Sequence, residues 1–170
     1  EFAATAAVII KHNTPCGAAL GDNPAEAFAL ARETDPLSAF GGVVALNRPL
    51  DADTAREIGA LFLEAIIAPS FEDAALEILK KKASLRLLRT GAGSAVLTGT
   101  DFKRVSGGLL VQTWDLSTKS PGEGRVVTKR APLPREMEDL DFAWRVAKHV
   151  RSNAIVYASG GRTLGIGAGQ

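Results

Sequence analysis

The chain has 170 residues, enough for one domain of ordinary size or for one domain and part of a second. Hydrophobic residues make up 46% of it and charged residues 23%, which is typical of a globular protein. Its 20 basic and 19 acidic residues leave a net charge of +1, so it offers no basic field for nucleic acid and no polybasic membrane patch. The single cysteine, Cys16, excludes an internal disulfide framework, and no apolar run approaches the roughly 20 residues of a membrane-spanning helix. With no signal peptide visible, we expect a cytoplasmic protein.

In the first half of the chain, short apolar strands alternate with amphipathic helices. A strand at residues 8–10 runs into a turn built on Pro15 and Gly17, and residues 35–42 form a loop. The hydrophobic spacing of the second helix extends past Phe62, which puts Glu64 at the carboxyl end of a helix. The sequence further predicts strands at residues 43–46, 65–69 and 85–88, and helices at 24–32, from 51 or 53 onward, and at 72–82.

The second half is predicted to contain a loop and a linker followed by regular elements. These are a loop at 90–100, a strand at 107–112, a linker at 114–124, a helix at 135–150 and strands at 154–158 and 163–167. The alternation indicates an α/β layered fold, with a mostly parallel sheet covered on both faces. Ligands of such sheets bind beyond the carboxyl ends of the strands.

The pair Lys11-His12 follows the first predicted strand, where an α/β sheet places its ligands. A histidine titrates near neutrality and suits the role of general base, and a lysine stabilises a developing oxyanion. The alternative is a structural pair, with the lysine in solvent and the histidine bonded to the turn. Residue chemistry alone favours this alternative, since few strand-end pairs are catalytic.

The other polar residues leave their roles open. Pro15-Cys16 is half of the P-C-x-x-C motif of zinc deaminases, but the chain has no second cysteine and no glutamate two residues after either histidine, so we predict no metal site. Gly41 either lets the backbone approach a ligand or forms a tight turn. Glu64 either faces solvent or binds a ligand, and Asn153 either holds a ligand or caps a helix.

The order of several blocks along the chain is more specific than any one of them. The blocks are KHNTPCG, TDPLSAFGGVVALNRPLD, IIAPSFEDAALEILKKK, LRLL, DFKRVSGGLLVQ, FAWRVAKHVRSNAIVYA and GRTLGIGAGQ. Together they closely resemble the bifunctional AICAR transformylase/IMP cyclohydrolase family of purine biosynthesis, from about residue 8 to residue 170. The likeness falls in the transformylase half of that family.

This resemblance implies a fold and a reaction. The transformylase half would consist of two three-layer α/β/α units like cytidine deaminase, with residues 1–113 in the first, 114–124 as a linker and 125–170 opening the second. The reaction is formyl transfer from 10-formyltetrahydrofolate to the 5-amino group of AICAR, without a metal. AICAR and the folate are the small-molecule partners, and the family works as a homodimer with sites at the subunit interface.

The resemblance also implies site residues. His12 would accept the proton of the substrate amine, and Lys11 would stabilise the transition-state charge and help protonate the leaving folate nitrogen. Leu37 and Ser38 would line the folate side, and Lys148 would lie near the site. The residues expected to bind AICAR are His12, Phe40, Gly41, Glu64 and Asn153.

Two further expectations concern the extent of the chain and its alternatives. It has no initiator methionine and ends in a glycine-rich turn, so we expect a fragment of a longer protein that is inactive, or nearly so, alone. One alternative function is a deaminase-like hydrolase acting on a nucleobase, which the incomplete zinc motif disfavours. The other is a non-catalytic α/β module that binds a nucleotide or only dimerises.

Overall fold

The computed structural model of the protein describes residues 1–91, 99–117 and 119–169. These residues form nine strands, five α-helices and one 3-10 turn at Pro121–Glu123. The strands are β1 (Ala6–Lys11), β2 (Thr14–Leu20), β3 (Gly42–Leu46), β4 (Leu63–Ala68), β5 (Arg86–Arg89), β6 (Thr100–Val105), β7 (Gly108–Thr113), β8 (Ile155–Ser159) and β9 (Arg162–Gly167). The helices are α1 (Pro24–Thr34), α2 (Pro36–Ala39), α3 (Ala52–Gly59), α4 (Asp73–Leu79) and α5 (Pro134–Ala147).

A seven-stranded sheet with the order β5-β4-β3-β1-β2-β9-β8 is the centre of the molecule. The pairs β3–β4 and β4–β5 are parallel, and the other four pairs are antiparallel. The α/β class is therefore confirmed, but the expectation of a mostly parallel sheet was wrong. The reason is local, because strands joined by a short hairpin, such as β1–β2 and β8–β9, must run in opposite directions.

The hairpin between β1 and β2 turns on His12 and Asn13. Both have positive φ values, 52° and 61°, as a two-residue type I′ turn requires at its central positions. Asparagine tolerates this conformation better than most residues, which favours the turn at this place. Pro15 and Gly17, the expected turn residues, lie instead within β2, opposite Ile10 and Ile9 of β1.

The two faces of the sheet pack against different helices. Ala7 and Ile9 of β1 belong to one core, and Val8 between them packs against the other, as alternation along a strand demands. Helix α1 lies very close to β2, since a Cβ on Gly17 would stand 2.0 Å from the carbonyl oxygen of Ala31. The first core includes Phe28 of α1, Ile58 of α3 and Leu79 of α4, and the second includes Phe142 and Val146 of α5.

The last two strands extend the sheet formed by the first part of the chain. Strand β9 pairs with β2 through Ala19 and Arg162, and β8 follows at the edge. The division into two units and the likeness of each to cytidine deaminase stay predictions, and in this chain both segments share one sheet. The predicted strand at 107–112 corresponds to β7, but its partner β6 was missed. The expected loop at 90–100 includes residues 92–98, which lie outside the described residues, as does residue 118 in the expected linker.

None of the helices in the described part of the chain has both the length and the apolarity needed to span a bilayer.

Candidate functional site

One end of the seven-stranded sheet carries the predicted site residues. Lys11 is the last residue of β1, and the antiparallel pairing of Ile10 with Val43 puts it beside the first residues of β3. The parallel pair β3–β4 starts at the same end, with Gly42 opposite Leu63. Lys11 thus ends its own strand, as expected, but it lies at the amino end of the parallel strands β3 and β4, because β1 runs against β3.

A cleft of about 370 Å³ opens at this end of the sheet. It lies where β2 and β9 diverge, since only Ala19 and Arg162 pair between these two strands. The lining includes three expected site residues, Lys11, His12 and Ser38. The other lining residues are Thr14, Pro15, Cys16, Thr34, Asp35, Gly165 and Ile166. Of the lining residues that were not expected, Thr34 follows the predicted helix at 24–32, Asp35 begins the predicted loop at 35–42, and Ile166 lies in the predicted strand at 163–167.

The ammonium group of Lys11 is bound to the loop before β3. Its Nζ donates hydrogen bonds to the carbonyl oxygens of Phe40 at 2.7 Å and Gly41 at 3.0 Å. Gly41 has φ +66°, and a Cβ there would stand 2.9 Å from Lys11 Nζ, so both backbone and space favour glycine. The structure thus brings three of the expected site residues, Lys11, Phe40 and Gly41, into contact.

Phe62, the residue directly before β4, supports this loop through a contact that the sequence does not predict. Its carbonyl oxygen accepts a hydrogen bond from the Gly41 amide at 2.8 Å. Its ring lies 5.2 Å from the ring of Phe40, centroid to centroid. The predicted helical position of Phe62 was wrong, since α3 ends at Gly59.

A short helix, α2, forms inside the segment expected to be a loop. The carboxylate of Asp35 accepts a hydrogen bond from the Ser38 amide at 2.9 Å, and hydrogen bonding with Ser38 lowers the pKa of Asp35. Ser38 faces the cleft, whereas Leu37 is 90% exposed. The two residues expected on the folate side therefore lie in adjacent but different environments.

Cys16 lines the cleft as a neutral thiol. Its Sγ donates a weak hydrogen bond to the carbonyl oxygen of Ile9 at 3.5 Å. Burial, reinforced by the charge of Asp35, raises the pKa of Cys16 to about 11. A thiol with this pKa is protonated at neutral pH and is a poor nucleophile.

Glu64 lies at the same end of the sheet but does not line the cleft. It is the second residue of β4 rather than the end of a helix, and its side chain is 49% exposed. Oε2 accepts a hydrogen bond from Nη1 of Arg86 at 2.8 Å. Glu64 is therefore both partly exposed and paired with a cation from the neighbouring strand β5.

Asn153 and Lys148 lie outside the cleft lining as well. Helix α5 is capped by Lys148, so Asn153 is not its cap, and it precedes β8 with its Oδ1 accepting from Ser152 Oγ at 3.2 Å. Nζ of Lys148 bonds Glu1 Oε1 at 3.1 Å and the Ser117 carbonyl oxygen at 3.4 Å. Five strand steps separate β4 from β8, which corresponds to roughly 24 Å between the two strands at the usual spacing, so Glu64 and Asn153 lie on opposite flanks.

Within residues 1–91, 99–117 and 119–169, no three histidine, cysteine, aspartate or glutamate side chains are grouped to hold a metal ion.

Comparison with known proteins supports the family resemblance that the sequence blocks indicate. The chain is 55% identical over 174 aligned residues to the bifunctional purine biosynthesis protein PurH of Magnetococcus marinus, an alignment that covers 100% of this chain and 32% of that protein. The chain thus spans about a third of the length of this relative. The model of the AICARFT/IMPCHase bienzyme family matches residues 1–170. With its whole length matched, the chain belongs to the AICARFT/IMPCHase bienzyme family.

Proposed function

We propose that this chain carries the formyl-transfer residues of an AICAR formyltransferase of purine biosynthesis, with 10-formyltetrahydrofolate as the formyl donor. The observation that carries the proposal is the fixed position of the Lys11 ammonium on the Phe40 and Gly41 carbonyls, beside His12 at the tip of the hairpin. Family membership over the whole chain supports the reaction. Such a protein acts in the cytoplasm and needs no metal for formyl transfer.

The proposed chemistry needs a base and a cation at one place. The 5-amino group of AICAR is a weak nucleophile, because its lone pair is delocalised into the ring and carboxamide. As its nitrogen bonds to the formyl carbon, His12 accepts the amine proton, and Lys11 stabilises the negative carbonyl oxygen. The bond from the formyl carbon to the folate N10 then breaks, and that nitrogen leaves with a proton that Lys11 helps to supply.

The proposed binding roles follow from the positions of the residues in and around the cleft. Phe40 and Gly41 contact AICAR next to Lys11, while Leu37 and Ser38 face the folate. Glu64 and Asn153 lie on opposite flanks, in or next to strands that are five steps apart in the sheet. We therefore assign them to AICAR contacts completed by other parts of the full-length protein, which acts as a homodimer. Lys148 is assigned to the surroundings of the site, without a defined contact to either ligand.

The test is formyl transfer by the full-length protein that contains this chain. We expect Lys11→Ala and His12→Ala each to reduce kcat by about 10²- to 10⁴-fold, because each removes a group that acts in the transition state. The matched controls are Lys81→Ala and His149→Ala, which remove exposed side chains outside the cleft lining and leave kcat unchanged.

The outcomes separate the alternatives. Activity that survives both cleft substitutions makes the pair structural and contradicts the proposed roles. If the folded wild-type protein shows no formyl transfer, the proposed function is contradicted, and the alternative of a non-catalytic α/β module is favoured. Stoichiometric zinc in the purified protein would instead favour a deaminase-like hydrolase.

A further inference from the structure

Where β2 and β9 separate, a side chain of β9 forms the hydrogen bonds to the β2 backbone. Ala19 pairs with Arg162 through the backbone, but Ala18, the neighbouring residue of β2, bonds the side-chain hydroxyl of Thr163. The Ala18 amide donates to Thr163 Oγ1 at 2.9 Å, and Thr163 Oγ1 donates to the Ala18 carbonyl oxygen at 3.0 Å. Thr163 is 1% exposed, so these bonds form in a dry environment where an unpaired amide or carbonyl is costly.

The end of α1 binds the same point of β9. Oγ1 of Thr34 donates to the Thr163 carbonyl oxygen at 2.8 Å and lies 2.7 Å from Thr163 Oγ1. The preceding residues on each side, Glu33 and Arg162, form an ion pair. Two consecutive residues of α1 thus hold two consecutive residues of β9.

These contacts join the two walls of the cleft. Thr34 is the last residue of α1, and Asp35, which follows it, begins the segment that carries Ser38 and the loop bound by Lys11. Thr163 stands two residues before Gly165, which lines the opposite wall. Because a hydroxyl spans the gap between β2 and β9, the strands are kept apart by the reach of a side chain.

We propose that Thr34 and Thr163 are positioning residues that set the width of the cleft for AICAR and the folate. The inference rests on the proposed function for the identity of these ligands, whereas the cleft geometry stands without it. Valine matches threonine in shape but has no hydroxyl. At position 163 it leaves the buried Ala18 amide and carbonyl without their side-chain partner, and at position 34 it removes the donor to the Thr163 carbonyl oxygen, so either change lets β9 shift against its neighbours. Serine keeps the hydroxyl.

The experiment compares Thr34→Val, Thr163→Val, Thr34→Ser and Thr163→Ser in the full-length protein. We expect each valine variant to raise KM for AICAR and the folate by about five- to tenfold, the effect of one or two hydrogen bonds, with a smaller change in kcat. The serine variants restore KM. Thr54→Val is the matched control, because Thr54 is the other buried polar residue among the described ones and lies in α3 outside the cleft lining.

A second readout does not depend on activity. Cys16 lines the same cleft, so its alkylation rate, followed by mass spectrometry of its peptide, reports the cleft width. We expect both valine variants to change this rate and Thr54→Val to leave it at the wild-type value. If Thr163→Val fails to fold, Thr34→Val provides the test, because Thr34 is only partly buried.

The inference is overturned if folded Thr34→Val keeps the wild-type KM and the wild-type Cys16 rate within about twofold, or if serine fails to rescue. A wild-type protein without formyl transfer, but with altered Cys16 alkylation in Thr34→Val, contradicts the proposed function and leaves the positioning role supported.

Discussion

At the scale of single residues, Lys11 is held in place before any ligand arrives. A lysine ammonium has three N–H donors, and two of them are directed at the carbonyl oxygens of Phe40 and Gly41. One donor is left for a ligand oxygen. A cation that is already oriented needs no reorganisation as charge develops, which is the arrangement that stabilises an oxyanion most effectively.

The raised pKa of Cys16 leads to a prediction about its reactivity. The shift from 9.0 to about 11 reduces the thiolate fraction at pH 8, because that pH is below both values. We expect iodoacetamide to alkylate Cys16 about 10- to 100-fold more slowly in the folded protein than in the same protein in denaturant, allowing for the higher intrinsic reactivity of a more basic thiolate. Mass spectrometry over time measures both rates. Equal rates would show that the thiol is neither buried nor protonated as described.

At the scale of elements, side-chain caps determine where the helices begin. Asn23 accepts a hydrogen bond from the Glu26 amide and Asp51 one from the Thr54 amide, each three residues into its helix. Such caps satisfy amides that have no partner within the helix. The start of α1 at Pro24 is therefore confirmed, whereas the sequence left residues 51 and 53 open as the start of α3, and the structure shows that Asp51 is the cap.

The Asp51 cap leads to a prediction about stability. Asp51→Ala should lower the free energy of unfolding by about 0.5–2 kcal/mol at neutral pH, because the Thr54 amide loses its partner. The hydrogen bond from the Thr54 amide lowers the pKa of Asp51 from its usual 3.8, so the stabilisation is present above 3.8 and is lost as the pH falls through the folded-state pKa. Asp51→Asn keeps an uncharged cap and serves as the control.

Urea unfolding of the chain at neutral and acidic pH, followed by circular dichroism, measures these differences. The advantage of wild type over Asp51→Asn should shrink in acid. An advantage that is independent of pH would show that ionisation of Asp51 does not contribute.

At the scale of the whole molecule, the described residues leave apolar surface uncovered. The hairpin β6–β7 forms its own two-stranded sheet, and Phe102 and Leu109 on it are each 61% exposed. An isolated two-stranded hairpin is marginally stable in water. The flanking residues Glu64 and Asn153 are also far apart along the sheet end.

These features lead to a prediction for the chain made alone. We expect the purified 170-residue chain to show no measurable formyl transfer, because the cleft holds Lys11 and His12 while Glu64 and Asn153 lie on distant flanks. The assay is formyl transfer to AICAR, with the full-length protein as the positive control and circular dichroism to verify folding. Turnover by the folded chain would show that the described cleft is sufficient.

Part of the site could be predicted from the sequence, and part could not. The resemblance to the family assigns Lys11, in the motif KHNTPCG, and Gly41, in the motif SAFGG, to the same site, so their proximity could be expected from the sequence. The contribution of Thr34 and Thr163 has no local signal, because a hydroxyl between two strands looks in sequence like any polar residue at an element end. Glu64 was misplaced because its apolar neighbours continue a helical spacing that ends, in the structure, at Gly59.

The α/β class, the capped start of α1, most of the apolar strands and the family could all be predicted from the order of the amino acids. These depend on residue periodicity, on caps within a few positions, and on the order of motifs. Strand pairing in three dimensions was needed to show that β1 runs against β3, that Lys11 lies at the amino end of the parallel strands, and that β9 forms a wall of the cleft. The physical reason is that strand direction and neighbourhood depend on hydrogen bonds between segments far apart in the chain, which a local hydrophobic pattern does not specify.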